Sequence, residues 1–133
     1  MNGLGSQYIT NVGLNYFIRA ISGLETEKII EGASGSDAPA DGAASTSLVT
    51  EVDRDTAVVT WDGTNGGPIF TVLHEPTVNV AYTETGLFTT SNLMPFFYTG
   101  YMAGTIYGAG AEAHPGPDTL TNTYTLAFAD SSE

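Results

Sequence analysis

The chain has 133 residues, 41% of them hydrophobic and none of them cysteine, which predicts one folded domain over 1–133 and excludes disulfides and thiolate metal sites. Fifteen acidic residues and three basic ones give a net charge of −12, so nucleic acids and anionic membrane surfaces are unfavourable partners. The chain has no run of about 18 apolar residues, so no transmembrane helix is expected, and its first residues lack the pattern of a signal peptide.

The excess of acidic residues also predicts an environment of high salt. At molar ionic strength the Debye length is about 3 Å, so a densely negative surface repels itself little there. Copies of the chain would repel each other in dilute buffer and associate once their charges are screened. We therefore expect a halophilic source and an assembly, or a fold, that weakens at low salt.

A short amphipathic helix is predicted near the amino terminus, over about 11–22. Thr10 or Asn11 can cap its start, and Gly23 can end it in the left-handed conformation. Apolar residues recur at positions i, i+3, i+4 and i+7, which predicts one stripe that packs on a core. The stripe consists of Leu14, Phe17, Ile18 and Ile21.

Five to seven strands are predicted to follow, separated by turns rich in Gly, Pro and Asn. The expected strands cover 27–32, 48–61, 69–73, 78–88, 93–106 and 120–128. The segment 48–61 is predicted as one long strand or as two consecutive strands with a break around 53–55. The strand at 78–88 is expected at the centre of the sheet. Two long loops are predicted at 33–47 and 107–118, and a frayed tail at 130–133. The pattern indicates a mostly antiparallel β-sandwich with one short N-terminal helix.

No metal or cofactor site is expected. Asp37 and Asp41 share a loop, but their spacing does not match that of an EF-hand. Zinc would need a third ligand in a recognisable motif beside the two histidines, and none is present. The groups considered were His74 and His114 with Glu75, Glu112 or Asp118.

No enzyme is expected either. Nucleophilic catalysis needs a base beside a serine or threonine, and the chain has no GxSxG elbow or similar motif. Asp53 and Asp55 can face one side of a strand, as the paired carboxylates of glycosidases do, which leaves a hydrolase as a distant alternative. Their neighbour Arg54 and the surrounding turns favour a solvated sheet edge instead.

Aromatic residues cluster at 94–101 and permit two interpretations. A row of aromatic rings on a sheet can stack on sugars, which would make the protein a carbohydrate-binding module for host surface glycans. Strands also gather aromatic residues for packing and subunit contacts, and we favour this interpretation. Burial or exposure of four residues distinguishes the two: Phe96, Phe97, Tyr98 and Tyr101.

Four short motifs occur in a fixed order along nearly the whole chain. They are I-T-x-x-G-L at 9–14, L-x-x-E-V-x-R at 48–54, E-x-G-L-F at 84–88, and an alternating threonine-rich strand at 120–128. In this order they resemble the tail-collar fibre and related tail-fibre N-terminal domains of tailed viruses. The first strand lacks the family's Gly-x-Gly ending, although Gly32 and Gly35 come close, and no fibre shaft is expected after residue 133.

The resemblance implies a non-enzymatic virion structural protein, from a haloarchaeal tailed virus given the acidic composition. It implies a homo-oligomer (trimer, pentamer or hexamer) that also contacts other virion proteins, as a tail, collar or baseplate component or a capsid decoration or turret. Within the motif at 84–88, Leu87 and Phe88 would be packing residues. Gly86 would allow tight packing, and Arg54 would pair with Glu51 or Glu84.

Overall fold

The computed structural model of the chain describes residues 6–38, 41–64, 66–99, 105–108 and 118–126. Within those ranges it contains one α-helix, one 3₁₀ turn (Gly42–Ala44) and nine β-strands. In chain order these are β1 (Ser6–Ile9), α1 (Asn11–Ile21), β2 (Ile29–Gly35), β3 (Glu51–Asp62), β4 (Gly67–His74), β5 (Val80–Ala81), β6 (Glu84–Thr89), β7 (Phe96–Thr99), β8 (Thr105–Ile106) and β9 (Leu120–Thr125).

Seven strands form one antiparallel sheet in the order β1-β7-β6-β2-β3-β4-β9. The short strands β5 and β8 pair with each other. This confirms the prediction of a mostly β, antiparallel fold with a short N-terminal helix. The centre of the sheet is β2, however, and not the segment 78–88.

The sheet curls around its inner face, and the long strand β3 joins its two halves. The first half of β3 pairs with β2, beyond which lie β6, β7 and β1. The second half of β3 pairs with β4, beyond which lies β9. Leu87 and Phe96 from one half therefore share a buried cluster with Phe70 and Val72 from the other. The apolar core lies inside this curl.

A second, smaller core covers the outer face of the sheet. Ala33, Phe88 and Phe97 are buried there beneath Leu48 and Met94, which come from the two segments that cross this face.

Gly86 lies below the methionine of that outer core. A Cβ on Gly86 would stand 2.9 Å from the Met94 sulfur and 3.2 Å from the Phe96 carbonyl oxygen. The tight packing expected at this glycine is therefore present.

The helix begins and ends as expected, but it is rotated so that most of the predicted apolar stripe points away from the core. Thr10 caps α1 by accepting a hydrogen bond from the Gly13 N–H, and Gly23 has a φ of 72°. Only Phe17 of the predicted stripe is partly buried, where it packs on the inner core. The prediction that the whole stripe faces the core was wrong for the other three residues, of which the exposed fractions are 51% (Leu14), 65% (Ile18) and 82% (Ile21).

The start of α1 explains this orientation. The Thr10 hydroxyl donates to the Met94 carbonyl at 2.7 Å, and the Thr10 N–H donates to the Pro95 carbonyl at 3.0 Å. Gly13 lies against the Pro95 carbonyl so closely that a side chain there would collide with it. The helix thus packs through Gly13, Tyr16 and Phe17, and this rotation turns the aliphatic stripe outward.

The segment 78–88 is two strands rather than one. Val80 and Tyr82 are buried as their alternation predicts, but Val78 is exposed. The chain leaves one ladder and enters another between β5 and β6, where the Thr83 N–H donates to the Gly35 carbonyl at 2.8 Å. Backbone hydrogen bonding, and not side-chain pattern, divides this segment.

The loop predicted at 33–47 starts later, because 33–35 belong to β2. Ala33 and Ser34 are fully buried between neighbouring strands, and a side chain on Gly35 would collide with the Thr50 carbonyl and the Glu84 carboxylate. Small residues are required at these positions of β2 because neighbouring groups approach so closely. The sequence rule that reads small residues as loop therefore fails here.

Of the two alternatives predicted for 48–61, the structure has the single long strand and not the two strands with a break. The strand β3 is continuous from Glu51, with one bulge at Val52 opposite β2. It also lies between β2 and β4, so the prediction of a solvated edge around Asp53 and Asp55 was wrong. Asp53 and Asp55 each have a hydrogen-bonding partner on the inner face, so these charged residues do not interrupt the strand.

The remaining predictions agree in part. The turn between β3 and β4 is present, and the predicted strand 93–106 contains β7 and β8, while residues 100–104 lie outside the described residues. In β9, Asn122 is buried and Tyr124 half-buried, while Thr121, Thr123 and Thr125 are exposed, as the alternation predicts. Residues 109–117, most of the second predicted loop, and the tail at 130–133 lie outside the described residues. In the part of the chain that the structure describes, no helix is long and apolar enough to cross a membrane.

Candidate functional site

A buried polar network occupies the centre of the inner face. The Ser34 Oγ lies 2.9 Å from the His74 Nε2, and the His74 Nδ1 lies 2.7 Å from an Asp55 carboxylate oxygen. Ser34 and His74 have no exposed surface, whereas the Asp55 side chain is 41% exposed. A serine, a histidine and an aspartate therefore form one hydrogen-bonded chain from the core to the surface.

Strand register brings these three residues together. Ser34 pairs with Asp53 on one side and with Thr85 on the other, and Asp55 pairs with Gly32. Because paired residues of neighbouring strands project to the same face, these side chains all point into the curl. His74, the last residue of β4, points the same way as the buried Val72 two positions before it.

Further polar groups complete the network. The Asn122 side chain donates to the Ser34 Oγ at 3.1 Å. The Ser34 hydroxyl has one proton, which it donates either to the Thr85 Oγ1 at 3.0 Å or to the His74 Nε2. Thr85 in turn donates to the Ala33 carbonyl and contacts the Tyr124 hydroxyl. Burial raises the pKa of Tyr124, so its phenol stays neutral and acts as a hydrogen-bonding group.

Hydrogen bonds connect these residues as in a Ser–His–Asp catalytic triad, but the surrounding structure gives a substrate no access to the serine. With its proton on Nδ1, a neutral His74 donates to Asp55 and accepts from Ser34, as a general base must. A reacting carbonyl would have to come within about 3 Å of the nucleophile. No surface of Ser34 or His74 is accessible, so no substrate reaches the Ser34 Oγ in this conformation. The network acts as a satisfied polar core.

The network was not predicted from the sequence. His74 was considered there only as a possible zinc ligand, whereas it is fully buried and its ring stacks on Tyr82 at a centroid distance of 5.8 Å. Asp53, which was assigned to an edge, accepts a hydrogen bond from the Tyr82 hydroxyl. The available signal was the alternation Phe70, Val72, His74, which extends the inward face of β4 by one more position than predicted.

Glu84 is a fully buried carboxylate that fastens the loop before β3. It accepts hydrogen bonds from the backbone N–H groups of Val49, Thr50 and Asp37 at 2.7, 2.8 and 3.2 Å. Charge-assisted bonds of this kind are roughly twice as strong as neutral ones. Glu84 therefore has a structural partner in the loop and does not pair with Arg54.

Arg54 is held on the outer face by several groups. It makes two bonds to the Glu51 carboxylate, at 2.7 and 2.9 Å, and one to the Asn92 side chain at 2.7 Å. Its guanidinium lies 3.8 Å from the centre of the Phe88 ring. Glu51 is the main cause that raises the pKa of Arg54, so of the two expected partners the structure places Glu51 beside it.

The aromatic residues of β7 are packing residues in the structure. Phe96, Phe97 and Tyr98 are all buried, with at most 8% of any of them exposed. Phe96 meets Phe17 edge to face, and Phe97 stacks on Tyr8. These three residues cannot form a sugar-stacking surface, which removes that basis for a carbohydrate-binding module; Tyr101 lies outside the described residues.

The two considered metal sites are not assembled where the structure describes them. Asp37 uses a side-chain oxygen to accept from the Ala38 N–H, and Asp118 accepts from the Tyr107 N–H. His114 and Glu112 lie outside the described residues. Among those that are described, no three His, Cys, Asp or Glu side chains are grouped as metal ligands.

A cavity of about 650 Å³ opens between the two edges of the curled sheet. Edge strand β1 contributes Gln7 and Ile9 to its wall, and edge strand β9 contributes Tyr124. Phe96 forms the floor, and the tip of the β3–β4 hairpin adds Trp61, which is 68% exposed. The cavity is lined mainly by apolar and aromatic side chains.

The outer side of α1 carries a further exposed apolar surface. Four large aliphatic residues are at least half exposed on this helix and just after it, and we call them the aliphatic stripe: Leu14, Ile18, Ile21 and Leu24.

Comparison with known proteins adds no relative to this description: neither a protein-family model, nor a curated protein, nor a solved structure matches the chain.

Proposed function

We propose that this protein is a non-enzymatic structural subunit that binds other copies of itself through the aliphatic stripe. The observation that carries the proposal is the exposure of Ile18 and Ile21, which are 65% and 82% exposed on a helix in which Phe17 already contacts the core. Monomeric proteins scatter their exposed apolar residues, whereas contiguous patches mark interaction sites.

The distribution of charge favours a second copy as the occupant. The chain carries a net charge of −12, so two copies repel each other unless they meet through a surface without carboxylates. The helix α1 contains no acidic residue, and its one charged residue, Arg19, pairs with Glu25 at 3.4 Å. The stripe is therefore a place where two acidic chains can approach at low electrostatic cost.

The expected assembly is a closed homo-oligomer, a trimer, pentamer or hexamer, on the particle of a tailed virus of a salt-loving host. Support for the viral setting is the order of the four sequence motifs. The inaccessible Ser34 and the buried aromatic residues of β7 favour this structural role over a hydrolase or a glycan-binding module. Mass spectrometry of purified virions would test the setting, since a structural subunit must be present there in many copies.

Self-association is tested by light scattering on a size-exclusion column, in molar salt and in dilute buffer. We expect a discrete oligomer in molar salt and a smaller species at low salt, because screening weakens the repulsion between acidic chains. The variant Ile18→Glu should reduce the mass in molar salt to that of the monomer, because it places a carboxylate in the interface.

The matched control is Asn15→Glu, which adds the same charge on the exposed polar side of α1. It should leave the oligomer intact in molar salt. A wild-type chain that is monomeric at every salt concentration, or two variants that behave alike, would contradict the proposal.

A further inference from the structure

The two edges of the curled sheet face each other across the cavity and run in the same direction. All six neighbouring pairs in the seven-stranded sheet are antiparallel. Strand direction therefore alternates along the order, and β1 and β9 are parallel to each other. Both edges line the same cavity, and within the described residues each pairs on one side only.

We propose that this gap is a binding site for one extended strand of a partner protein. A single strand placed between β1 and β9 would be antiparallel to both, which two parallel edges cannot achieve by closing on each other. It would complete an eight-stranded barrel, the size at which side chains alone fill the interior. Addition of a strand to an exposed sheet edge is an established mode of peptide recognition, with main-chain hydrogen bonds giving affinity and pockets giving specificity.

The volume and the lining of the cavity predict how many side chains the partner strand inserts and that they are apolar. A cavity the size of one large aliphatic side chain is on the order of 150 Å³, so about 650 Å³ accommodates roughly four of them. Alternate residues of a strand point to the same face, so four inward side chains require a segment of about eight residues. Leu87 and Phe96 at the floor and Ile9 at the wall select apolar groups at those positions.

The net charge of the chain and the pairing of its strands indicate that the inserted strand comes from a different protein. A net charge of −12 disfavours an acidic segment and favours one with neutral or basic residues at the outward positions. Every strand that the structure describes is already paired within its own chain, so a second copy would have to unpair any of these strands in order to donate it. A partner with a free extended segment has no such cost.

The test uses a synthetic eight-residue peptide with valine at alternate positions and threonine or lysine between them. The control peptide has the same composition with its valines grouped together. Trp61, the single tryptophan, lies at the cavity wall and is 68% exposed, so a bound strand should shift its fluorescence to shorter wavelength. We expect a saturable shift with the alternating peptide and none with the grouped peptide.

Two variants locate the binding and separate it from self-association. Ile9→Asp should weaken peptide binding by about tenfold or more, because it places an unpaired carboxylate against the inserted strand. Ile18→Asp should leave peptide binding unchanged while it reduces the oligomer, so the two proposals can fail independently. Circular dichroism checks that both variants are folded.

Cross-linking gives a second measurement that needs no change of charge. The chain has no cysteine, so Ile9→Cys introduces a single thiol at the cavity wall. A peptide with one inward-facing cysteine should form a disulfide with Ile9→Cys and not with Ile18→Cys.

Three results would overturn the inference. One is that the peptide neither shifts the Trp61 fluorescence nor forms the cross-link, which is the result expected if a segment of the same chain already fills the gap. Another is an equal response to both peptides, which would indicate a general apolar cavity. The last is an Ile9→Asp variant that lowers the oligomer mass without any peptide effect, which would make a second copy the occupant.

Discussion

The centre of the sheet and the outer side of α1 distribute polar and apolar groups in opposite ways. Ser34 and His74 are polar and have no exposed surface, whereas Ile18 and Ile21 are apolar and mostly exposed. A buried polar group is tolerated when its hydrogen bonds are made, and the network around Ser34 supplies them within one chain. Exposed aliphatic groups have no such internal compensation. The centre is therefore complete in the single chain, whereas the stripe is the surface through which we propose that copies of the chain associate.

The largest expected effect comes from His74→Ala at the centre. The substitution leaves a cavity and removes a partner of both Ser34 and Asp55. Cavity formation and a buried polar group without its partner should together lower the free energy of unfolding by about 3–5 kcal/mol. Urea denaturation monitored by circular dichroism measures the loss, in molar salt so that assembly is kept constant.

Glu75→Ala, at the exposed neighbouring position, is the control and should change the free energy of unfolding by less than about 0.5 kcal/mol. Equal effects of the two substitutions would mean that the buried network contributes no more to stability than surface residues do.

A smaller loss is expected from Glu84→Gln, at the fully buried carboxylate that binds the loop before β3. The amide keeps the shape of the side chain but loses the negative charge and one of the two acceptor oxygens that bind the loop N–H groups. We expect a decrease of about 2–3 kcal/mol in the free energy of unfolding, since hydrogen bonds to a charged group contribute about 1.5–3 kcal/mol each.

Hydrogen exchange at Val49 and Thr50 provides a second measurement of the same change. These amides should exchange faster in Glu84→Gln while the amides of β4 remain protected. Uniformly faster exchange would show that Glu84 supports the whole sheet and not this loop alone.

The same comparison shows what the sequence could and could not predict. Alternation in β9 and the cap at Thr10 are local signals, and both predict the structure well. The network is not local, because Ser34, His74 and Asn122 are brought together by strand order. The orientation of α1 is set by contacts of Thr10 and Gly13 with the carbonyls of residues 94 and 95, some 80 positions away, so the periodicity of the helix could not reveal it.

The cavity and the two facing edges depend on the same long-range information. The sequence predicts strands but not their order. An odd number of antiparallel strands leaves two parallel edges, and the order determines that β1 and β9 are those edges. Turn residues identified the hairpin between β3 and β4 because its ends are adjacent in the sequence. The pairing of β2 with β6 has no comparable signal, since more than fifty positions separate Ser34 from Thr85.

The smallest effect is expected at Glu27, a carboxylate on the side of the molecule that carries α1. Its oxygen accepts from the Thr89 hydroxyl at 2.6 Å and from the Ser91 N–H at 2.8 Å, and its carbonyl accepts from the Tyr16 hydroxyl. The bond from Thr89 is the main cause that lowers the pKa of Glu27 below its ordinary value. The folded chain therefore binds this proton less readily than the unfolded chain does.

Stability from Glu27 is present above the ordinary pKa of a glutamate, about 4.5, and is lost as the pH falls through the lower value in the folded state. In Glu27→Gln this contribution is missing at every pH, so thermal unfolding temperatures of wild type and variant should differ near pH 7 and converge towards pH 3. Because Glu27 lies close to the surface, the difference at pH 7 should be smaller than the effect of Glu84→Gln. A difference in unfolding temperature that stays constant across the pH range would mean that the amide packs less well than the carboxyl group. In that case the ionisation of Glu27 would contribute no stability to the side of the molecule that carries the stripe.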